Sequence, residues 1–250
     1  MRGVVFDLDD TLYLERDYVE SGFRSVAAAL GVEGKPGPEE IFGTLWSGFV
    51  AGIRANAFDR LFEHYPTLAQ RGSIDSAVSL YRSHDPRISL CGGIPELLAS
   101  LKGSGARLGL ITDGSVTTQQ HKIAALKIGY LFDSKIITDE WGVEYRKPNP
   151  RAFLHTMSEL HLGAEQLVYI GDNPRKDFLA PRELGWRSVR VRMDGQLHCA
   201  AEPAARDHSA DVEVHSIAEL TSLVSAWRGP QAPGGVEENR GPGIAPRPAH

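Results

Sequence analysis

Three carboxylates, Asp7, Asp9 and Asp10, directly follow the apolar run Val4-Val5-Phe6 near the start of the sequence. A run of this kind is what a strand buried on both faces shows. If the strand continues to Asp9, side-chain alternation sends Asp7 and Asp9 to one side and Leu8 to the other, so two negative charges converge. Such a pair is hard to keep ionised without a cation. Hard oxygen donors at the carboxyl end of a strand point to Mg²⁺, which binds through carboxylates, waters and a substrate phosphate. The alternative is a solvated acidic turn in which Asp10 and Thr11 cap the next helix.

Further chemistry-bearing residues stand where other strands should end. RLGLIT, from Arg107, is a second buried strand and runs into Thr112, Asp113 and Gly114. LVYIGD, from Leu167, is another and ends at Gly171, Asp172 and Asn173. Lys147 lies in the RKPNP loop after a strand at SKIITD. Taken singly, each residue has an ordinary structural explanation as a helix cap, a loop cation or a turn residue. Their recurrence at successive strand ends does not, because ligands of parallel α/β sheets bind outside the carboxyl ends of the strands.

The elements that must position these residues alternate strand and helix. Helical patterns occur at Ile94 to Lys102, Thr117 to Leu126, Ala152 to Leu160, Phe178 to Leu184 and Ile217 to Trp227, with further strands at RSVRVR and Asp211 to Val214. Strands joined through single helices imply right-handed crossovers and an α/β, Rossmann-like parallel sheet with helices on both faces. Between the first strand and Cys91 the pattern is entirely helical. Tyr18, Phe23, Val26 and Leu30 mark one helix, Ile41, Leu45, Phe49 and Ile53 a second, and Ile74 to Tyr81 a third. The expected organisation is a discontinuous core of residues 1–13 and 91–228, an inserted all-helical cap at 14–90, and a Gly/Pro-rich disordered tail at 229–250.

In this order, DLDDTL at Asp7, the strand ending in Thr112, Lys147 in RKPNP, and GDNPRKD with Asp172 and Asp177 resemble the four motifs of the haloacid dehalogenase (HAD) superfamily. Most of its members are Mg²⁺-dependent phosphohydrolases. The resemblance extends from about Arg2 to Trp227, and the insertion is similar to that family's helical cap. It implies that Asp7 is a nucleophile forming an aspartyl-phosphate, and that Asp9 protonates the leaving oxygen and then activates water. It further implies Mg²⁺ between Asp7, the backbone carbonyl of Asp9 and Asp172. Thr112 and the backbone N–H groups around Asp113 and Gly114 would hold the phosphoryl oxygens, Lys147 would offset developing charge, and Asp177 would orient Lys147 or a metal-bound water. The sequence departs from the family at Asp113, where Asn is common, which puts another negative charge near the phosphate unless it is paired or turned away.

The expected activity is a phosphatase acting on a small phosphorylated metabolite. A dehalogenase of the same fold needs neither the general acid nor the metal, so Asp9 and Asp172 together count against it. A phosphomutase shares all these residues, and a non-catalytic phosphate-binding module would gain nothing from a nucleophile beside an acid. Substrate choice should rest with the inserted helices, where Arg16, Tyr18, Trp46, Arg54, Asn56 and Tyr81 are candidates. Trp141 and Tyr145 stand near Lys147, and the histidines read mostly as surface residues.

A formal charge of −5 gives no concentrated positive face for nucleic acid. No apolar run approaches membrane-spanning length. Cys91 and Cys199 read as free thiols, and Met1-Arg2 passes directly into a strand without room for a signal peptide, so the expectation is a cytoplasmic protein.

Overall fold

The computed structural model describes residues 1–32 and 36–228; the tail expected at 229–250 lies outside the described residues. Six parallel strands, β1 (Gly3–Phe6), β2 (Arg107–Thr112), β3 (Ser134–Ile137), β4 (Leu167–Gly171), β5 (Arg187–Val191) and β6 (Val212–Val214), form one sheet in the order β3-β2-β1-β4-β5-β6. The order reverses at β1, whose Phe6 aligns with Leu110 on one side and Ile170 on the other. The crevice outside the carboxyl ends of β1 and β4 is therefore where a ligand of such a sheet binds.

Alternation along the strands explains why both faces are covered. Val4, Phe6, Leu108, Leu110, Val168 and Ile170 pack on one face against Leu97 and Leu101 of α5 (Ile94–Gly103) and Leu220 and Val224 of α9 (Ile217–Arg228). Val5, Ile111, Ile136 and Tyr169 face the other way, against Phe153 and Leu160. Burial of such side chains contributes about 1.5–3 kcal/mol each. That is what holds the register and, through it, the strand ends.

The inserted segment forms four helices, α1 (Glu15–Leu30), α2 (Pro38–Val50), α3 (Ala57–His64) and α4 (Ile74–Ser83), around a core of their own that includes Phe23, Val26, Ile41, Leu45 and Leu61. Two corrections to the sequence expectation arise here. The second helix stops at Val50 rather than running to Ile53, because Gly52 takes φ +91° and turns the chain. The short helix α3 was not expected; its entry is set by Asn56 at φ 58°. Helix α4 starts at a reciprocal cap, in which Ser73 Oγ accepts the Ser76 N–H at 3.1 Å and Ser76 Oγ accepts the Ser73 N–H at 2.8 Å.

The chain leaves the sheet unit and returns to it at one point. The Cys91 N–H donates to the Leu12 carbonyl at 2.9 Å. The segment after β5 is tied to the same place, with Gln196 Nε2 donating to the Asp10 carbonyl at 2.6 Å and the Leu197 N–H to Asp10 Oδ2 at 2.7 Å. The helical insert also rests on α6 (Val116–Leu126), where Thr118 Oγ1 donates to the Arg82 carbonyl at 3.2 Å. Among the described residues no helix is long and apolar enough to cross a membrane.

Candidate active site

Strand β1 ends at Phe6, three residues earlier than parallel display of Asp7 and Asp9 would need. The consequence is that the two carboxylates have separate partners. Asp7 is fully buried, its Oδ1 accepting the Leu8 N–H at 2.8 Å and lying 2.8 Å from Lys147 Nζ. Asp9 turns towards α6. Its Oδ1 takes Lys122 Nζ at 2.7 Å and the Tyr13 hydroxyl, and its Oδ2 takes Gln119 Nε2 at 2.9 Å.

These surroundings act on the two carboxyls in opposite senses. Burial pushes the Asp7 carboxyl up, against the pull of Lys147 and Lys176. Burial acts in the same sense on Asp9, but the Lys122 ammonium and its hydrogen bond overcome it, so Asp9 is held below the usual carboxylate range. Asp10 serves the local fold: with φ 53°, it accepts the Glu15 N–H at 2.8 Å and so caps α1. The capping part of the acidic-turn reading thus holds for Asp10, but the turn is not solvated: Asp10 and Asp7 are both buried.

At the end of β2, Thr112 is fully buried and its hydroxyl accepts a hydrogen bond from Gln119 Nε2. Gly114 occupies φ +129°, a backbone conformation that L side chains rarely adopt. Asp113 is paired. Its Oδ1 accepts from Thr138 Oγ1 at 2.8 Å and from the Lys147 N–H at 3.1 Å, and its Oδ2 lies 3.8 Å from Lys176 Nζ. The extra negative charge that the sequence placed here is therefore spent on holding the Lys147 loop.

Lys147 is the hub. Its Nζ lies 2.8 Å from Asp7 Oδ1, from Asp177 Oδ1 and from the Tyr169 hydroxyl oxygen. Although burial alone would lower its pKa, Asp177 and Asp7 raise it, so the ammonium stays charged. Both oxygens of Asp177 are committed, Oδ1 to Lys147 and to the Tyr169 O–H at 3.2 Å, Oδ2 to the Asn173 N–H at 2.9 Å. The turn can close this tightly because residue 171 is glycine: a Cβ there would stand 2.7 Å from Asp177 Oδ2.

Asp7, Asp172 and Asp177 bring carboxylate oxygens within 4.8 Å of one another. Because Asp177 is already engaged, Asp7 and Asp172 are the two left to face an ion. Asp7 Oδ2 and Asp172 Oδ2 are buried and accept no hydrogen bond. Burial, then the neighbouring Asp177 and Asp7, push the Asp172 carboxyl well above its ordinary value. Buried hard oxygens that accept no hydrogen bond fit a divalent cation, which would offset the negative charge gathered there. A groove of about 810 Å³, lined by Asp17, Arg24, Phe42 and His84 among others, shares no residue with this cluster.

Lys122, Gln119, Tyr13 and Lys176 were not found by sequence reasoning. The first two lie on a helix whose polar sequence reads as solvated, yet both are buried. Lys176 lies inside GDNPRKD, between the two acids read from that motif. Of the candidate selecting residues, Tyr18 and Tyr81 are packing residues, their rings 5.4 Å apart edge to face. Arg54 lies over Phe49 at 4.2 Å, and Arg16 over Trp46 at 5.8 Å. Asn56 opens α3. Arg151 stacks on Trp141 and Tyr145 at 4.8 and 4.3 Å, so the two rings grip the start of α7 (Arg151–Leu160). His84 departs from the surface expectation and is buried.

The family model for haloacid dehalogenase-like hydrolases matches residues 4–191. The chain is 30% identical over 233 residues to a glyceraldehyde 3-phosphate phosphatase of Methanopyrus kandleri, covering 90% of this chain and 97% of that protein. It is 29% identical over 210 residues to an N-acetylmuramic acid 6-phosphate phosphatase of Pseudomonas aeruginosa, covering 84% of this chain and 77% of the relative. Among solved structures it resembles the HAD-hydrolase YfnB of Bacillus subtilis bound to magnesium, with a TM-score of 0.62 at 18% identity, over 89% of this chain and 98% of that one. At that identity the likeness speaks for the fold alone.

Proposed function

The chain belongs to the haloacid dehalogenase-like hydrolases as a phosphatase-like member, and from that premise we propose that it is a Mg²⁺-dependent phosphatase of a small phosphorylated metabolite, working through an aspartyl-phosphate on Asp7. The observation that carries the reading is the pair of buried oxygens Asp7 Oδ2 and Asp172 Oδ2, neither of which accepts a hydrogen bond, at the point where the strand order reverses. A binding module would gain nothing from a nucleophile such as Asp7 with an acid, Asp9, two residues on.

In this reading an Asp7 oxygen attacks phosphorus, the bond from phosphorus to the leaving oxygen breaks, and Asp9 gives that oxygen a proton. Asp9 then takes a proton from the water that attacks the aspartyl-phosphate, which releases phosphate and regenerates Asp7. Lys122 keeps Asp9 in the ionised form that the second half requires. The first half needs a protonated Asp9, and an approaching anionic phosphate shifts it that way. The Thr112 hydroxyl accepts from Gln119, so its own proton is free for a phosphoryl oxygen, alongside the backbone N–H groups around Asp113 and Gly114. Lys147, locked in place by Asp177, offsets the charge that gathers on Asp7 and the transferring group. Mg²⁺, held by Asp7, the Asp9 carbonyl and Asp172, would supply the positive charge that lets a phosphate approach a carboxylate.

Two relatives named as phosphatases of small phosphorylated compounds support the substrate class. The helical insert at 14–90 would act as the cap that selects among such compounds. The test is phosphate release from a panel of phosphorylated small metabolites, glyceraldehyde 3-phosphate among them, with and without Mg²⁺. Activity should require the ion, and Asp7→Asn should lower kcat by about a thousandfold or more with the fold intact. Survival of Mg²⁺-dependent turnover in Asp7→Asn overturns the covalent route.

A further inference from the structure

Asp7 faces two lysines that differ in how they are held. Lys147 Nζ is fully enclosed and makes three contacts at 2.8 Å, with Asp7, Asp177 and Tyr169. Lys176 Nζ makes only ion-pair contacts among the described residues, at 3.4 Å to Asp7 Oδ2 and 3.8 Å to Asp113 Oδ2, and its side chain is 25% exposed. Lys147 is fixed. Lys176 is a long side chain with room to move along the line between two carboxylates.

The Asp7 oxygen that Lys176 approaches is the same Oδ2 that accepts no hydrogen bond. An ammonium group and a divalent ion on one carboxylate oxygen repel each other strongly in a buried setting. Asp113 Oδ2, on the other side of the ammonium, offers it a second anchor.

Resting on the reading of Asp7 and Asp172 as metal ligands, we propose that Lys176 is a positioning residue that competes with the divalent ion for Asp7. Its ammonium neutralises Oδ2 in the ion-free protein and withdraws towards Asp113 as the ion binds. The side chain thereby sets how tightly the ion is held.

The test is direct titration with Mn²⁺, read by calorimetry or by the electron paramagnetic resonance of the free ion, without substrate. Wild type, Lys176→Gln, Lys176→Arg and Asp172→Asn are compared after circular dichroism has shown that each is folded. Removing the competing charge should tighten Mn²⁺ binding about tenfold in Lys176→Gln, while Lys176→Arg, which keeps the charge, stays within about twofold of wild type. Asp172→Asn should weaken binding by about tenfold or more. If Asp172→Asn loses the ion but Lys176→Gln binds it no more tightly than wild type, the competition is refuted and the metal site stands. If Asp172→Asn binds as wild type does, the ligand assignment falls and takes this inference with it.

Discussion

Lys122 Nζ lies 2.7 Å from Asp9 Oδ1, and the same ammonium sits 4.3 Å from the centre of the Tyr18 ring. Asp9 belongs to the sheet unit, Lys122 to α6 and Tyr18 to α1 of the insert, so one cation touches all three parts of the site's surroundings. A buried ammonium between a carboxylate and a π face is stable only while both remain in place.

Lys122→Met removes the charge that holds Asp9 ionised. The Asp9 pKa then rises, and the hydrolytic half of the cycle loses its base at low pH. The acidic limb of the kcat profile should move to higher pH relative to wild type. A pH–rate profile from 5 to 8 reads this directly, and coincident limbs would show that Lys122 does not govern Asp9.

Gly171→Ala places a methyl group 2.7 Å from Asp177 Oδ2 and 2.8 Å from its Cγ, in a turn with no slack. The expected destabilisation is about 1–3 kcal/mol. Urea melts measure it, and kcat should fall too, because Asp177 is what fixes Lys147.

His84 is buried in the joint between insert and core. Its Nδ1 donates to the Tyr81 carbonyl at 2.7 Å, its Nε2 lies 3.1 Å from Ser21 Oγ, and the Tyr18 ring stands 4.9 Å away. Burial lowers its pKa, and the Tyr81 bond and Asp85 only partly oppose this, while His121 and Lys122 add to it. The unfolded chain therefore takes up a proton below about pH 6.5 that the folded chain refuses, and stability falls as pH drops through that value. Between pH 7.5 and 5.5 the Tm of wild type should fall more steeply than that of His84→Gln. Parallel slopes would remove His84 from the pH dependence.

The strand ends that carry the candidate site were legible because parallel strands buried on both faces leave continuous apolar runs, and Asp7, Thr112 and Asp172 stand at the ends of such runs. The parallel sheet and the helices that cover it came from the same signal, while the order of the strands did not. Lys122 and Gln119 were not legible, since a charged residue on a polar-looking helix reads as solvated until the partner carboxylate, more than a hundred residues away, is known to lie beside it. Helix α3 escaped for a different reason. Eight residues with Phe58 and Leu61 buried give too short a pattern for periodicity to register. The pairing of Asp113 with Thr138 and with the Lys147 N–H is a tertiary fact with no local trace.

The hydrogen bond from Cys91 to Leu12 means that the strand unit meets its helical insert as an excursion with touching feet. Seen from the sheet, nothing in the spacing of β1 and β2 depends on how long that excursion is or how it is coiled. A transplant of the whole excursion from another chain would leave the six-strand order intact. The insert could then be lengthened or recoiled over generations, so long as the Tyr18 face against Lys122 is kept.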